Sequence, residues 1–217
     1  MTDFADIDLT RTAYDGVAEL YADLVAGHLD RSPCDRAMLG ILAELVRDNG
    51  SGPVADIGCG PGRMTGYLAE LGLDVFGIDL SPEMIALAER LHPGPRYAVG
   101  TMERLDIADG SLTGLLAWYS IIHLPPHRVP DVFAEFHRVL ADGGYALLGF
   151  FATDPPALVT AFDHKVTEAY CWSPERLLEL LGTAGFAPVT RMVRDPGPEE
   201  RFGQASVLVT KVPPRVR

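Results

Sequence analysis

One stretch constrains this chain more than any other: Val54-Ala55-Asp56-Ile57-Gly58-Cys59-Gly60-Pro61-Gly62-Arg63-Met64. A short apolar run ends in Asp56-Ile57, glycines follow at alternate positions, and a helical apolar pattern opens at Gly62 and runs to about Leu71. This reads as strand, tight turn and helix start. Gly58 and Gly60 carry no Cβ, so ligand groups can approach the main chain closely. Spacing separates two kinds of ligand. A dinucleotide fingerprint needs a third glycine where this chain has Arg63, to let helix and strand pack closely beneath a pyrophosphate. Asp56 and the turn's carbonyls instead favour a cation such as an ammonium.

A second anchor follows. Asp74-Val75-Phe76-Gly77-Ile78-Asp79 is another short apolar strand ending in an acid, and Ser81-Pro82-Glu83-Met84 starts a helix with a serine cap and proline at its first position. An acid at Asp79 can accept both hydroxyls of a ribose, a geometry that serves several adenosine ligands; its other reading is a helix-capping acid, as a plain turn is the other reading of the glycines. D-I-G-C-G-P-G resembles the first motif of the class I S-adenosylmethionine (SAM) dependent methyltransferases, and G-I-D-L-S-P-E-M-I resembles their next segment. The resemblance implies that Asp56, Gly58, Cys59 and Gly60 wrap the methionine part of the cofactor, that Asp79 holds the ribose, and that Leu80 and Met84 lie beside it.

Composition narrows the partners. A formal net charge of −12, with 18 Lys and Arg dispersed along the chain, argues against a phosphate backbone as substrate and for a small molecule. No apolar run approaches the roughly 20 residues needed to span a bilayer, and the N-terminus, Met1-Thr2-Asp3-Phe4-Ala5-Asp6, is acidic where a signal peptide is basic. Cys34, Cys59 and Cys171 form no C-x-x-C pair, so neither a disulfide framework nor a metal site is expected and a reducing cytoplasm fits. Lysine occurs only at 165 and 211 beside abundant Arg, Ala, Gly and Pro, a bias that resembles GC-rich bacterial coding.

In chain order, helical spacing from about Leu9 to Leu29 after a Thr10 cap predicts one amphipathic helix, with Tyr14 and Tyr21 on one face. A second helix is expected from Pro33 to Asp48, stopped by Asn49-Gly50-Ser51-Gly52-Pro53. The resemblance makes residues 1–50 a helical lid, with Tyr14 and Tyr21 near the methionine carboxylate or the sulfonium; packing on the core is the other reading of these tyrosines. Tyr97-Ala98-Val99 gives a third strand, and Gly100-Thr101-Met102-Glu103-Arg104-Leu105 resembles the family segment closing over the adenine. Thr101 stands where the family usually has an acid, and a neutral acceptor is roughly half as strong, so Met102 packing carries more of that contact.

Leu115 to Pro125 reads as the fourth strand and its carboxyl-end loop, where open α/β sheets place ligands. Trp118, Tyr119 and Ser120 are expected to line the cofactor. His123 is the candidate general base, an imidazole able to take a proton near neutral pH, or else a residue that holds the loop through a backbone carbonyl. Val129 to Leu140 predicts a helix, Ala141-Asp142-Gly143-Gly144 its stop, and Tyr145 to Phe151 the fifth strand. Residues 152–172 lack clean periodicity; their aromatics suit an acceptor lid, with Phe151, His164, Tyr170 and Trp172 beside His123 as acceptor contacts, the other reading being a short helix at the sheet edge. A helix from Ser173, a strand from Phe186 to Met192 and a final strand from Ala205 to Lys211 follow, the last two paired antiparallel, and Pro213-Pro214 ends the ordered chain.

Alternating strands and helices predict an α/β fold with a doubly wound, mostly parallel sheet, in one domain over residues 1–217. The resemblance completes this as the seven-stranded, Rossmann-like methyltransferase pattern. It implies methyl transfer from SAM to a small, fairly apolar acceptor, in bacterial secondary metabolism. Three other readings remain open: a SAM-binding enzyme of cyclase type that transfers no methyl, a partner-activating binding subunit, and, least favoured because of Arg63, an NAD oxidoreductase.

Overall fold

The computed structural model describes residues 5–153, 155–198 and 200–213. The acidic N-terminal residues 1–4 and the stop at Pro214 lie outside them.

The expected strand and helix alternation is present as β1 (Val54–Ile57), α5 (Arg63–Glu70), β2 (Val75–Asp79), α6 (Pro82–Leu91), β3 (Arg96–Val99), β4 (Leu112–Trp118), α7 (Val129–Val139) and β5 (Leu140–Phe151). α8 (Pro174–Thr183), β8 (Phe186–Arg194) and β9 (Gln204–Lys211) complete the layer. The seven-stranded sheet has the order β3-β2-β1-β4-β5-β9-β8, parallel through β5 and antiparallel at β5–β9 and β9–β8. The order reverses between β1 and β4, so their carboxyl ends flank the crevice where such sheets bind ligands. Strand β1 is buried throughout, as expected for a central strand covered on both faces.

One apolar layer packs α7 and α8 on the sheet through Phe133, Phe136, Leu177 and Leu181. The other packs α4 (Pro33–Asp48) and α5 through Leu39, Leu42, Val46 and Leu68. Each such fully buried side chain contributes about 1.5–3 kcal/mol. The bounds of α4 and the caps of α6 and α8 match expectation: Ser81 accepts from Met84 N, Ser173 from Arg176 N, and proline follows each cap.

Three segments differ from expectation. The leading amphipathic pattern is broken into α1 (Ala5–Asp15), α2 (Ala18–Val25) and α3 (His28–Arg31), because Gly16 follows α1 and Gly27 takes φ +64 before α3. Thr10 therefore lies inside α1 and caps nothing. Strand β5 starts at Leu140, not Tyr145: Leu112 pairs with Leu140 and Gly114 with Tyr145, so the glycine stop is carried as a bulge in the strand. Residues 152–172 are neither loop nor helix but hold a hairpin, β6 (Val159–Asp163) and β7 (Glu168–Trp172). Its turn is set by Asp163 Oδ1 accepting from Lys165 N, with Lys165 at φ +73.

The leading helices rest on α6. Ala18 packs with Met84 and Leu87, and Tyr14 and Tyr21 join that cluster. Asp15 accepts from Ser81 Oγ at 2.5 Å, tying the end of α1 to the start of α6.

Candidate active site

The turn after β1 is built around two glycines. A Cβ on Gly58, whose φ is +74, would fall 2.3 Å from the Cβ of Ser120, so only glycine lets the β4 loop close against the turn. Gly60, at φ +54, faces open space and forms the floor of the pocket. Asp79 binds the turn to the second strand: Oδ2 accepts from Gly60 N at 2.7 Å and Oδ1 from Ser81 N at 2.9 Å. Each carboxylate oxygen keeps a lone pair for a ligand hydroxyl. Burial raises the Asp79 carboxyl, against the lowering effect of these N–H donors.

Asp56, on β1, is 1% exposed and accepts from Thr65 Oγ1 at 2.6 Å. Burial raises its pKa to about 7 despite that bond, so a ligand cation beside it would restore the ionised form.

Every expected cofactor residue lines one crevice. Asp56, Gly58, Cys59 and Gly60 meet Asp79, Leu80 and Met84 there, together with Thr101, Met102 and Glu103. Trp118 and Tyr119 close it from β4, and Tyr14 and Tyr21 from the leading helices. Although Tyr14 and Tyr21 lie on separate helices, their rings meet edge to face at 5.5 Å. Thr101 Oγ1 accepts from Glu103 N at 3.4 Å, and the Glu103 carboxylate pairs with Arg128, so neither supplies an unengaged anion at this edge. Met102 and Leu80 offer an apolar slot beside Asp79, suited to a flat heterocycle next to a diol.

His123 sits in the single 3₁₀ turn Ile121–His123 that follows β4. Its Nδ1 lies 3.0 Å from the Glu168 carbonyl, which can only accept, so Nδ1 carries the proton and Nε2 accepts from the Tyr14 hydroxyl at 2.6 Å. The imidazole is held neutral. Burial lowers its pKa to about 4, with the Glu168 bond opposing and nearby His164 assisting. Burial also raises Tyr14, with Tyr21 and Asp79 adding to the effect. The hairpin and the leading helices thus meet through one ring, and His123 reaches the crevice from behind Tyr14.

A second cavity of about 380 Å³ adjoins the first, sharing Tyr21, Arg63, Trp118 and Tyr119 with it. Of the residues expected as acceptor contacts, Phe151 and His164 line this second cavity, whereas His123 lines only the first crevice. Tyr170 and Trp172 line neither. Trp172 is 1% exposed within the apolar layer beneath the hairpin: at the end of β7, paired with Val159 and bridged to Ala152, it breaks the alternation that buries Ala169 and Cys171, and Tyr170 donates to Glu168 at 2.5 Å. Tyr119 has a left-handed backbone, φ +55, and its hydroxyl donates to Gln204, which donates to Glu200, itself paired with Arg194. This polar chain fixes the ring at the junction of the two cavities.

Among the lining residues that went unrecognised as site residues in the sequence are Arg63, Leu20, Leu24 and Gln204. Only Arg63 left a signal, as the side chain standing where a dinucleotide site has glycine.

Comparison with known proteins agrees with this architecture. Residues 54–144 match the model of a methyltransferase domain. A demethylmenaquinone methyltransferase from Chlorobaculum parvum is 30% identical over 143 residues, which are 64% of this chain and 58% of that protein. The matched segments span 35% to 68% of the length of the curated relatives. Among solved structures, the 1,6-didemethyltoxoflavin-N1-methyltransferase of Burkholderia thailandensis, with its substrate and S-adenosylhomocysteine bound, is 26% identical with a TM-score of 0.66, covering 94% of this chain and 91% of that one. The magnesium protoporphyrin IX methyltransferase of Synechocystis, with bound SAM, shares the fold at a TM-score of 0.72 and 18% identity, covering 97% and 99%.

Proposed function

Because this chain belongs to the class I SAM-dependent methyltransferases, we propose that it transfers a methyl group from SAM to a small, fairly apolar acceptor, as one step of a bacterial secondary metabolism. The observation that carries this reading is the junction of the two cavities. A crevice with an acid at the diol position and a buried carboxyl at the cation position opens, across Tyr21, Arg63, Trp118 and Tyr119, into an apolar chamber.

The residues present fit the cofactor. Asp79 would hold the ribose, Met102 and Leu80 the adenine, and Asp56 with the Gly58–Gly60 turn the methionine amine. Bound there, the cofactor supplies a methyl carbon already activated by the adjoining sulfonium. The protein's own task is then alignment and exclusion of water. Trp118 and Tyr119 set the approach from the chamber, and the leading helices α1 to α3, with the hairpin, close over it as lids; α4, expected as part of the lid, packs instead in the apolar layer on the sheet. A proton released by the acceptor passes to the Tyr14 hydroxyl as that hydroxyl gives its own to His123 Nε2. An imidazole held at about pKa 4 is a weak base, so this route serves acceptors that ionise readily.

The direct test is calorimetric titration with SAM, S-adenosylhomocysteine and NADH, after mass spectrometry for ligand retained through purification. Micromolar binding of both sulfur compounds and none of NADH is the expected result. No binding of either would overturn the cofactor assignment. Retained SAM that never yields S-adenosylhomocysteine with any acceptor would instead favour a cyclase-like use of the pocket, and activity only beside a second protein a partner-activating subunit.

A further inference from the structure

We infer that the acceptor is an aromatic acid: a flat apolar ring system bearing a carboxylate or an equally acidic oxygen that is received by Arg63. The inference rests on the reading of the adjoining cavity as the acceptor chamber.

The body of the chamber is apolar, lined by Trp118, Tyr119 and Phe151 together with aliphatic side chains such as Ile122. Leu20 and Leu24 of α2, four residues apart and so on one helix face, line it while remaining 71% and 77% exposed. Large apolar side chains on a lid helix that stay exposed over a cavity gain from a ligand that covers them.

Apart from Tyr21 and Tyr119, the ionisable side chains of the chamber are all nitrogen bases, and its other polar groups are the Trp118 indole and the Gln204 amide. Arg63, Lys165, His28 and His164 line it, and no Asp or Glu does so among the described residues. In a chain with a net charge of −12 this is a selective placement. Two of these groups also have nitrogens that are buried without a hydrogen-bond partner: Arg63 Nη1 and His164 Nδ1. Such atoms are costly in an interior unless something satisfies them. Burial lowers the Arg63 pKa, and Tyr21, Asp56 and Asp35 oppose that through space. A carboxylate-bearing ring entering the chamber would present its anion to Arg63 Nη1 and place its face among the aromatic side chains.

The test uses a matched pair of probes, 3-hydroxy-2-naphthoate and 3-hydroxy-2-naphthamide, which share a ring system and differ in charge. Each is titrated calorimetrically into protein saturated with S-adenosylhomocysteine, for the natural chain, Arg63→Gln and Arg63→Lys. The acid is expected to bind about tenfold or more tighter than the amide to the natural chain. Arg63→Gln should erase that preference with the amide unaffected, and Arg63→Lys should keep most of it. Equal affinities, a preference for the amide, or no binding of either probe would overturn the inference. A tenfold loss of S-adenosylhomocysteine affinity in Arg63→Gln, with the acid-to-amide ratio unchanged, would overturn it too, by assigning the guanidinium to the cofactor carboxylate. Failure of the natural chain to bind S-adenosylhomocysteine would defeat the underlying cofactor reading, and is seen before either probe is added.

Discussion

Replacing Asp56 by Asn should make the unliganded protein more stable at alkaline pH and less able to bind its cofactor. The folded carboxyl titrates near 7, raised from 3.8 first by burial and opposed by the Thr65 hydroxyl. A raised pKa means that this group's contribution is fully present below the unfolded value and is lost as pH rises through the folded one. Between about pH 4 and pH 7 the unfolded chain has released the proton and the folded chain still holds it. Stability therefore falls by up to about 1.4 kcal/mol per pH unit, reaching about 4 kcal/mol above pH 7. Asparagine keeps an oxygen for the Thr65 donor and removes the titration. The assay is urea unfolding of both proteins from pH 4.5 to 8.5, read as their difference so that other titrating groups cancel. The Asn protein should gain on the natural one by about 2–4 kcal/mol across that range, the upper end assuming no relaxation around the charge. Asp79 is electrostatically coupled to Asp56, so easing it adds slightly to the gain. In parallel, SAM affinity of the natural protein should climb with pH up to about 7, since an ammonium favours the ionised carboxyl, and the Asn protein should show no climb. Parallel stability curves would refute the reasoning, because they would mean that Asp56 is ionised in the folded protein throughout.

Asp79→Ala removes the acceptor of Gly60 N and Ser81 N together with any ribose contact, and SAM affinity should drop by about 1.5–3 kcal/mol; an unchanged dissociation constant excludes the ribose role. His123→Ala should lower turnover while S-adenosylhomocysteine still binds, and full turnover would leave His123 only its loop-holding bond to the Glu168 carbonyl. Trp172→Ala should cost about 3–5 kcal/mol in urea unfolding without altering SAM affinity, since the indole fills the core and lines neither cavity; a selective loss of methyl transfer at full stability would return it to the site.

The sheet and the cofactor crevice were legible because their signals are local. Gly58 and Gly60 mark the first turn, Ser81-Pro82 caps the helix that follows Asp79, and each sits within a few residues of the element it punctuates. The hairpin escaped because β6 and β7 are each five residues long and half exposed, and no periodicity distinguishes so short a strand from a loop. Trp172 was misplaced for a related reason: an aromatic in an unassigned segment suits a pocket, and only the pairing with Val159 and the bridge to Ala152, at a strand end where the alternation of β7 breaks, hold it in the core. The second cavity was hidden more deeply. Leu20 comes from α2, Arg63 from α5, Tyr119 from the end of β4, and His164 and Lys165 from the hairpin turn, so no single window of sequence outlines it. Arg63 shows what such residues leave behind. Its identity argued only against a pyrophosphate, since a dinucleotide site needs glycine there for close packing. In the fold the same position stands between both cavities with a buried nitrogen unsatisfied, so the side chain that disfavours one ligand class by being present is also placed to select another.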